Sequence, residues 1–133
     1  MAVAVYRAIL DKKNLFVDAP TGTGKTISTI FPAVKSLGEG LSDKIFYLTS
    51  KNTTAKEALK SLYLLKEKNL SIKAVSITSK EKICLNDEIS CNPEDCPFAR
   101  GHFDRVNEGL KDILENEDIM DFDIITSYAE KHR

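Results

Sequence analysis

The sequence has no surplus of charge of either sign, no long apolar run, no internal repeat, no low-complexity tract and no even set of cysteines. Nineteen Lys and Arg stand against 20 Asp and Glu, a formal net charge of −1. Bulk electrostatics therefore supplies no argument for a nucleic-acid partner, and any such contact must come from a local patch. The apolar opening Met1-Ala2-Val3-Ala4-Val5 is broken by Arg7 and Asp11 before a signal-peptide core or a membrane span could form. Three cysteines, an odd number, two of them spaced Cys-x-x-x-x-Cys, do not make a disulfide framework. What is present suffices for a folded domain: 42% of the 133 residues are hydrophobic, enough to bury a core.

The chain is organised around Ala19-Pro20-Thr21-Gly22-Thr23-Gly24-Lys25-Thr26, which follows the apolar run Leu15-Phe16-Val17 and precedes an amphipathic segment starting at Ile27. Strand, glycine-rich turn and helix in that order are the context of a phosphate-binding loop. Glycines at 22 and 24 allow the backbone N–H groups to turn inward and approach an anion closely. Lys25 would reach the β- and γ-phosphates of ATP, and the Thr26 hydroxyl would ligate Mg²⁺. The positive end of the following helix would face the anion. Nucleotide contacts are thus expected from Thr21, Gly22, Thr23, Gly24, Lys25 and Thr26, with Lys25 and Thr26 carrying the chemistry. Ala19 replaces the glycine that opens the strict motif. A nucleotide-using chain with no export signal is expected in the reducing cytoplasm, without membrane association.

Around this loop the periodicity predicts alternating helices and strands. Val3, Tyr6, Ile9 and Leu10 place a helix over residues 2–11. Residues 15–18 read as a strand. Ile27, Ile30, Phe31, Val34 and Leu37 form the stripe of the helix after the loop, closed by Gly38 and Gly40, with Pro32 expected to kink it or break one turn. Residues 44–49 read as a buried strand parallel to the first. Thr54 and Glu57 have capping-box spacing for a helix to about Lys68, with Leu59, Leu62 and Tyr63 on its inner face. Residues 71–77 alternate as a third strand. Near residue 80 the composition changes, and residues 85–95 are polar and rich in turn formers. Pro97 fits the first position of another helix with Phe103, Val106, Leu110 and Ile113 inward; residues 116–121 interrupt it, and residues 122–132 read as helical again.

Cys84, Cys91 and Cys96 fall close together, with Cys96 expected at a helix N-terminus, where the dipole favours a thiolate. Thiolate clustering suggests a metal, although three sulfurs leave a tetrahedral zinc or an iron–sulfur cubane one ligand short. His102 is a weaker candidate for the fourth, and buried or incidental thiols are the alternative. Ile83-Cys84-Leu85-Asn86-Asp87-Glu88 approaches the pattern of a strand ending in Asp-Glu that holds Mg²⁺, but Asn86 breaks its apolar run, so Asp87 and Glu88 read as solvated loop residues.

The loop and the cysteines together resemble the iron–sulfur helicases of superfamily 2, the XPD-like and DinG-like DNA helicases. The resemblance rests on Ala19-Pro20-Thr21-Gly22-Thr23-Gly24-Lys25-Thr26, on Cys84 within Ser79-Lys80-Glu81-Lys82-Ile83-Cys84, and on Cys91-Asn92-Pro93-Glu94-Asp95-Cys96-Pro97-Phe98-Ala99, and covers nearly the whole chain. It implies an α/β fold: an incomplete RecA-like motor domain with a parallel sheet and helices over residues 1–81, and part of an inserted, mostly helical iron–sulfur cluster domain over residues 82–133. It implies ATP-dependent 5'-to-3' translocation on single-stranded or forked DNA, DNA repair among its roles, a monomeric motor, and a [4Fe-4S] cluster on Cys84, Cys91 and Cys96 with a fourth cysteine expected beyond Arg133. Backbone contacts to DNA are implied for Lys51, Asn52 and Thr53 after the second strand, and for Lys80 and Lys82 before the first cysteine. The Asp-Glu-x-His box, arginine finger and second motor domain of such helicases are not in the sequence, so this chain is expected to bind ATP without useful hydrolysis. Two other readings stay open: a P-loop NTPase or kinase using its cysteines for zinc, and a non-catalytic metal and nucleic-acid binding module.

Overall fold

The computed structural model describes residues 1–132. Arg133 lies outside the described residues. The chain forms two compact units, Met1–Leu70 and the residues from Ser71 onward. Residues 71–77 accordingly belong with the second unit, ahead of the change in composition near residue 80.

The first unit contains α1 (Ala2–Leu10), α2 (Lys25–Gly38) and α3 (Asn52–Lys66). α2 packs against both α1 and α3. Ile30 and Val34 of α2 and Ala58 of α3 are buried, together with Pro32, Ser36 and Ser61. The two buried serines cost little, because each hydroxyl bonds within its own helix: Ser36 to the Ala33 carbonyl at 2.6 Å and Ser61 to the Glu57 carbonyl at 3.0 Å. Between α1 and α2 the Tyr6 hydroxyl donates to Glu39 at 2.5 Å, and Lys35 both pairs with Glu39 and lies 5.4 Å from the Tyr6 ring centre. α2 runs unbroken through Pro32, which is buried, so the expected broken turn does not occur.

All three helices end in the same way. Lys13 N–H bonds the Ala8 carbonyl and Lys12 N–H the Ile9 carbonyl, around Lys12 at φ 54°. The equivalent pairs are Leu41 to Ser36 and Gly40 to Leu37 around Gly40 at φ 69°, and Leu70 to Leu65 and Asn69 to Lys66 around Asn69 at φ 65°. These are Schellman closures, which satisfy the last carbonyls by a left-handed residue. Glycine and asparagine suit that position; lysine at 12 is the costly occupant.

Three expectations fail in this unit. Residues 15–18 and 44–49 form no ladder among the described residues, and Phe16, Phe46 and Leu48 are 94%, 80% and 89% exposed. A strand is stable only with a bonded neighbour and a covered face, and neither segment finds one here. The capping box is also displaced: α3 begins at Asn52 after Lys51, with Thr54 inside its first turn and no side-chain cap. Thr49 sets this earlier start, its Oγ1 accepting from the Lys51 N–H at 3.2 Å. The inner face of α3 is correspondingly rotated to Ala58 and Ser61, leaving Tyr63 exposed.

The second unit contains β1 (Ala74–Val75), α4 (Lys80–Ile83), α5 (His102–Asn116), β2 (Ile119–Met120) and α6 (Phe122–Lys131). β1 and β2 pair in parallel, Ala74 opposite Ile119 and Val75 opposite Met120. β2 lies inside the stretch expected only to interrupt two helices. Ile113, Ile119 and Met120 are the buried apolar centre, joined by Cys96. Lys73 ties β1 to the end of α5, its ammonium donating to the Leu114 carbonyl at 2.8 Å and the Glu117 carbonyl at 2.6 Å. α6 starts where expected, Asp121 Oδ1 accepting from the Ile124 N–H at 3.1 Å as a helix cap. α5 starts later than Pro97. Ala99 and Arg100 N–H both bond the Cys96 carbonyl in a separate turn, and Gly101 at φ 67° then redirects the chain into the helix. Phe103 consequently points outward, 88% exposed, while Val106 and Ile113 face inward.

Candidate functional site

The loop of residues 19–26 runs from an unladdered approach into the first turn of α2. Gly22 sits at φ 81° and Gly24 at φ 69°, ψ 32°, directly before Lys25 opens the helix. A Cβ on Gly22 would meet nothing within 4 Å, and one on Gly24 would meet only Ile27 Cγ2 at 3.6 Å. Glycine is therefore required by the backbone dihedral and not by space within the empty loop. Among the described residues, no backbone carbonyl accepts from the N–H of Gly22, Thr23 or Gly24. These donors are exposed at the positive end of a fourteen-residue helix.

Lys25 is folded back over its own loop. Its ammonium donates to the carbonyls of Ala19 at 2.8 Å and Pro20 at 2.7 Å, and Thr23 Oγ1 donates to the same Pro20 carbonyl at 2.9 Å. The lysine thus spans the mouth of the turn. A phosphate entering there would take the ammonium from those two carbonyls. Thr29 Oγ1 bonds the carbonyls of Lys25 and Thr26, holding the first turn of α2, whereas the Thr26 hydroxyl has no protein partner among the described residues. An ammonium, uncommitted N–H groups and an uncommitted hydroxyl around one left-handed turn fit a nucleoside triphosphate with Mg²⁺.

A sequence profile of the family described as DEAD/DEAH box helicase matches residues 2–106, which takes in this loop and most of the chain. The chain belongs to the DEAD/DEAH box helicase family. No curated protein and no solved structure matches it. Membership places the chain among nucleic-acid helicases of superfamily 2, ATP-dependent enzymes that use Mg²⁺. No helix among the described residues is long and apolar enough to cross a membrane.

The other residues singled out from the sequence are distributed over both units. In the first, Lys51, Asn52 and Thr53 are exposed at the start of α3, with Lys51 in extended conformation and its carbonyl accepting from Thr54 and Ala55. In the second, Lys80 and Lys82 are exposed on the single turn of α4. Cys91 is exposed beside Lys80, whose pKa is raised first by its interaction with the Cys91 side chain and further by the neighbouring Glu81 carboxylate. Cys96 faces the other way: it is buried, and its sulfur accepts from the Ala99 N–H at 3.4 Å. His102 is exposed and meets Phe103 edge to face at 5.4 Å between ring centres. No three His, Cys, Asp or Glu side chains are gathered as a metal requires among the described residues. The expected three-cysteine site is therefore not assembled, because the turn at Cys96 draws one thiol inward while Cys91 stays at the surface. The helix-N-terminal position expected for Cys96 is likewise taken by Gly101.

Proposed function

We propose that this chain supplies the ATP-phosphate-binding loop of a cytoplasmic DNA helicase motor that couples ATP hydrolysis to 5'-to-3' movement on single-stranded or forked DNA. The observation that carries the reading is Lys25, whose ammonium spans a left-handed glycine turn with uncommitted N–H groups within the family-matched stretch. Lys25 and the loop amides bind and orient the triphosphate, and the Thr26 hydroxyl holds Mg²⁺, which supplies neutralising charge at the phosphate oxygens. No Asp-Glu-x-His occurs in the 133 residues. Binding without turnover is accordingly the activity expected of this chain. Titration with MgATP and a steady-state phosphate assay test it together: tight, Mg²⁺-dependent binding without phosphate release supports the reading, and absence of nucleotide binding refutes it.

The DNA assignment rests on the resemblance and on the exposure of Lys51, Asn52 and Thr53 at the start of α3, a place suited to sequence-independent phosphate contacts. Fluorescence anisotropy with labelled single-stranded DNA and RNA of equal length checks it. Equal affinity for both, or no loss on Lys51→Ala, removes the DNA assignment from this segment.

The resemblance also carries a [4Fe-4S] cluster on Cys84, Cys91 and Cys96. What supports it is the run of cysteines in the sequence that carries the resemblance. The position of Cys96 does not fit the third ligand, and no step is routed through the group. Anaerobic reconstitution with iron and sulfide analysis separates the readings: a brown protein with stoichiometric iron and sulfide favours the cluster, and a colourless protein that takes up zinc favours a zinc-binding P-loop NTPase.

A further inference from the structure

We propose that the groove between α5 and α6 is a binding site for a small apolar monocarboxylate. α6 is tied to α5 near its C-terminal end, and a hollow remains alongside the two helices. At one end a Cβ on Gly109 would lie 3.5 Å from His132 Cγ, so helix and ring are in contact. The Asp112 carboxylate fixes that end by accepting from Lys131 at 2.5 Å and pairing with His132 Nε2 at 2.8 Å. At the other end the Asp121 cap and β2 set where α6 begins. The space left between them is about 310 Å³, at the small end of the range for ligand pockets.

The chemistry of the walls selects the ligand. Val106, Leu110 and Ile113 of α5 and Ile125 and Ala129 of α6 make its apolar body; His102, Tyr128 and His132 also line it, with the Tyr128 hydroxyl turned to Glu117 at 3.3 Å and His132 paired with Asp112 at 2.8 Å, so both those polar groups are already committed. Arg105 stands on the wall, half-buried. It donates from Nη2 to the Phe98 carbonyl at 3.4 Å and makes no ion pair among the described residues. A guanidinium with unused donors beside an apolar hollow is complementary to one carboxylate on a hydrocarbon or aryl body, which would be bound in fork geometry by the arginine. A neutral chain of the same length would gain the burial but not the ion pair, and a small hydrophilic anion would gain the reverse.

The test uses the whole 133-residue chain, isotope-labelled and followed by amide chemical shifts, titrated with sodium octanoate and separately with 1-octanol. Shifts are expected at Val106, Leu110, Ile125 and Ala129, with octanoate bound about tenfold more tightly than octanol. Arg105→Met should bring the two ligands to within about twofold, while Arg105→Lys keeps part of the preference. Ala129→Phe should fill the hollow and weaken both. Equal binding of octanoate and octanol by the native chain overturns the proposal, as does an unchanged α5 and α6 spectrum at saturating octanoate. The native comparison does not depend on any variant folding. Nucleotide binding in the first unit is measured independently of it.

Discussion

Replacing Lys25 by methionine keeps the length and most of the volume of the side chain and removes its charge. In the nucleotide-free protein the ammonium bonds two carbonyls, at 2.8 and 2.7 Å. With nucleotide bound it would exchange these neutral acceptors for phosphate oxygens. A hydrogen bond from an ammonium is charge-assisted with either acceptor, about 1.5–3 kcal/mol, and with a phosphate oxygen the acceptor carries charge as well, which favours the bound arrangement. The exchange releases the carbonyls to water, so the net loss on Lys25→Met is about 1–2 kcal/mol, or roughly a five- to thirtyfold weaker MgATP affinity. Isothermal titration of both proteins with MgATP and MgADP measures it. The loss should be larger for ATP, since the lysine is expected at the β- and γ-phosphates. An affinity for MgATP within about twofold of the native value would refute the reasoning, because the side chain that spans the loop would then contribute nothing to what the loop holds.

Three further outcomes are expected. Lys12 occupies the left-handed closing position of α1 at φ 54°, so Lys12→Gly should raise stability in urea denaturation by about 1 kcal/mol. Lys73→Met should lower the stability of the second unit by about 1–2 kcal/mol, because the carbonyls of Leu114 and Glu117 lose their donor; amide exchange at the end of α5 should speed up with it. Asp112 is held below its ordinary 3.8, first by the hydrogen bond from Lys131 and then by that from His132. A carboxylate that binds its proton less readily when folded contributes fully above the unfolded value, and its contribution is lost as pH falls through the lower, folded one. Thermal melts taken downward from about pH 5 should therefore show an acid-side decline that Asp112→Asn flattens.

The helices were legible because their signal is local. A stripe recurring every three or four residues places α1, α2, α3 and α6 within a few positions of their observed ends, and α5 at its observed end but with a start at Pro97 instead of His102. Which side of a helix faces inward was less so: Val3, Leu10, Phe31, Tyr63, Phe103 and Leu110 all contribute to apolar stripes and all are exposed. Exposure depends on which neighbour arrives, and periodicity does not name the neighbour. Two of the three expected strands, 15–18 and 44–49, failed for the same reason, and the third, 71–77, forms only over Ala74–Val75. Residues 44–49 have strand composition, yet the ladder that forms is the short pairing of β1 with β2, more than forty residues away in sequence, through a segment that reads as an interruption. The left-handed closure at Lys12 left no signal because lysine does not favour that conformation, whereas Asn69 is a residue type that does. In the site, the loop's residue types and their chemistry could be read directly, whereas the carbonyl contacts of Lys25 could not. Those contacts depend on where the side chain lies when no anion is present.

Residues 15–18 lead straight into the phosphate loop, and it is there, with residues 44–49, that Phe16, Phe46 and Leu48 face solvent. Phe16 lies three residues ahead of Ala19, so a partner that covered it would hold the stretch from which the loop springs. If burying Phe16 tightened nucleotide binding, linkage would require nucleotide to tighten the partner by the same factor. The nucleotide would act on this chain as a cohesive agent as much as a fuel, and a sample kept without it should associate through those same residues as its concentration rises.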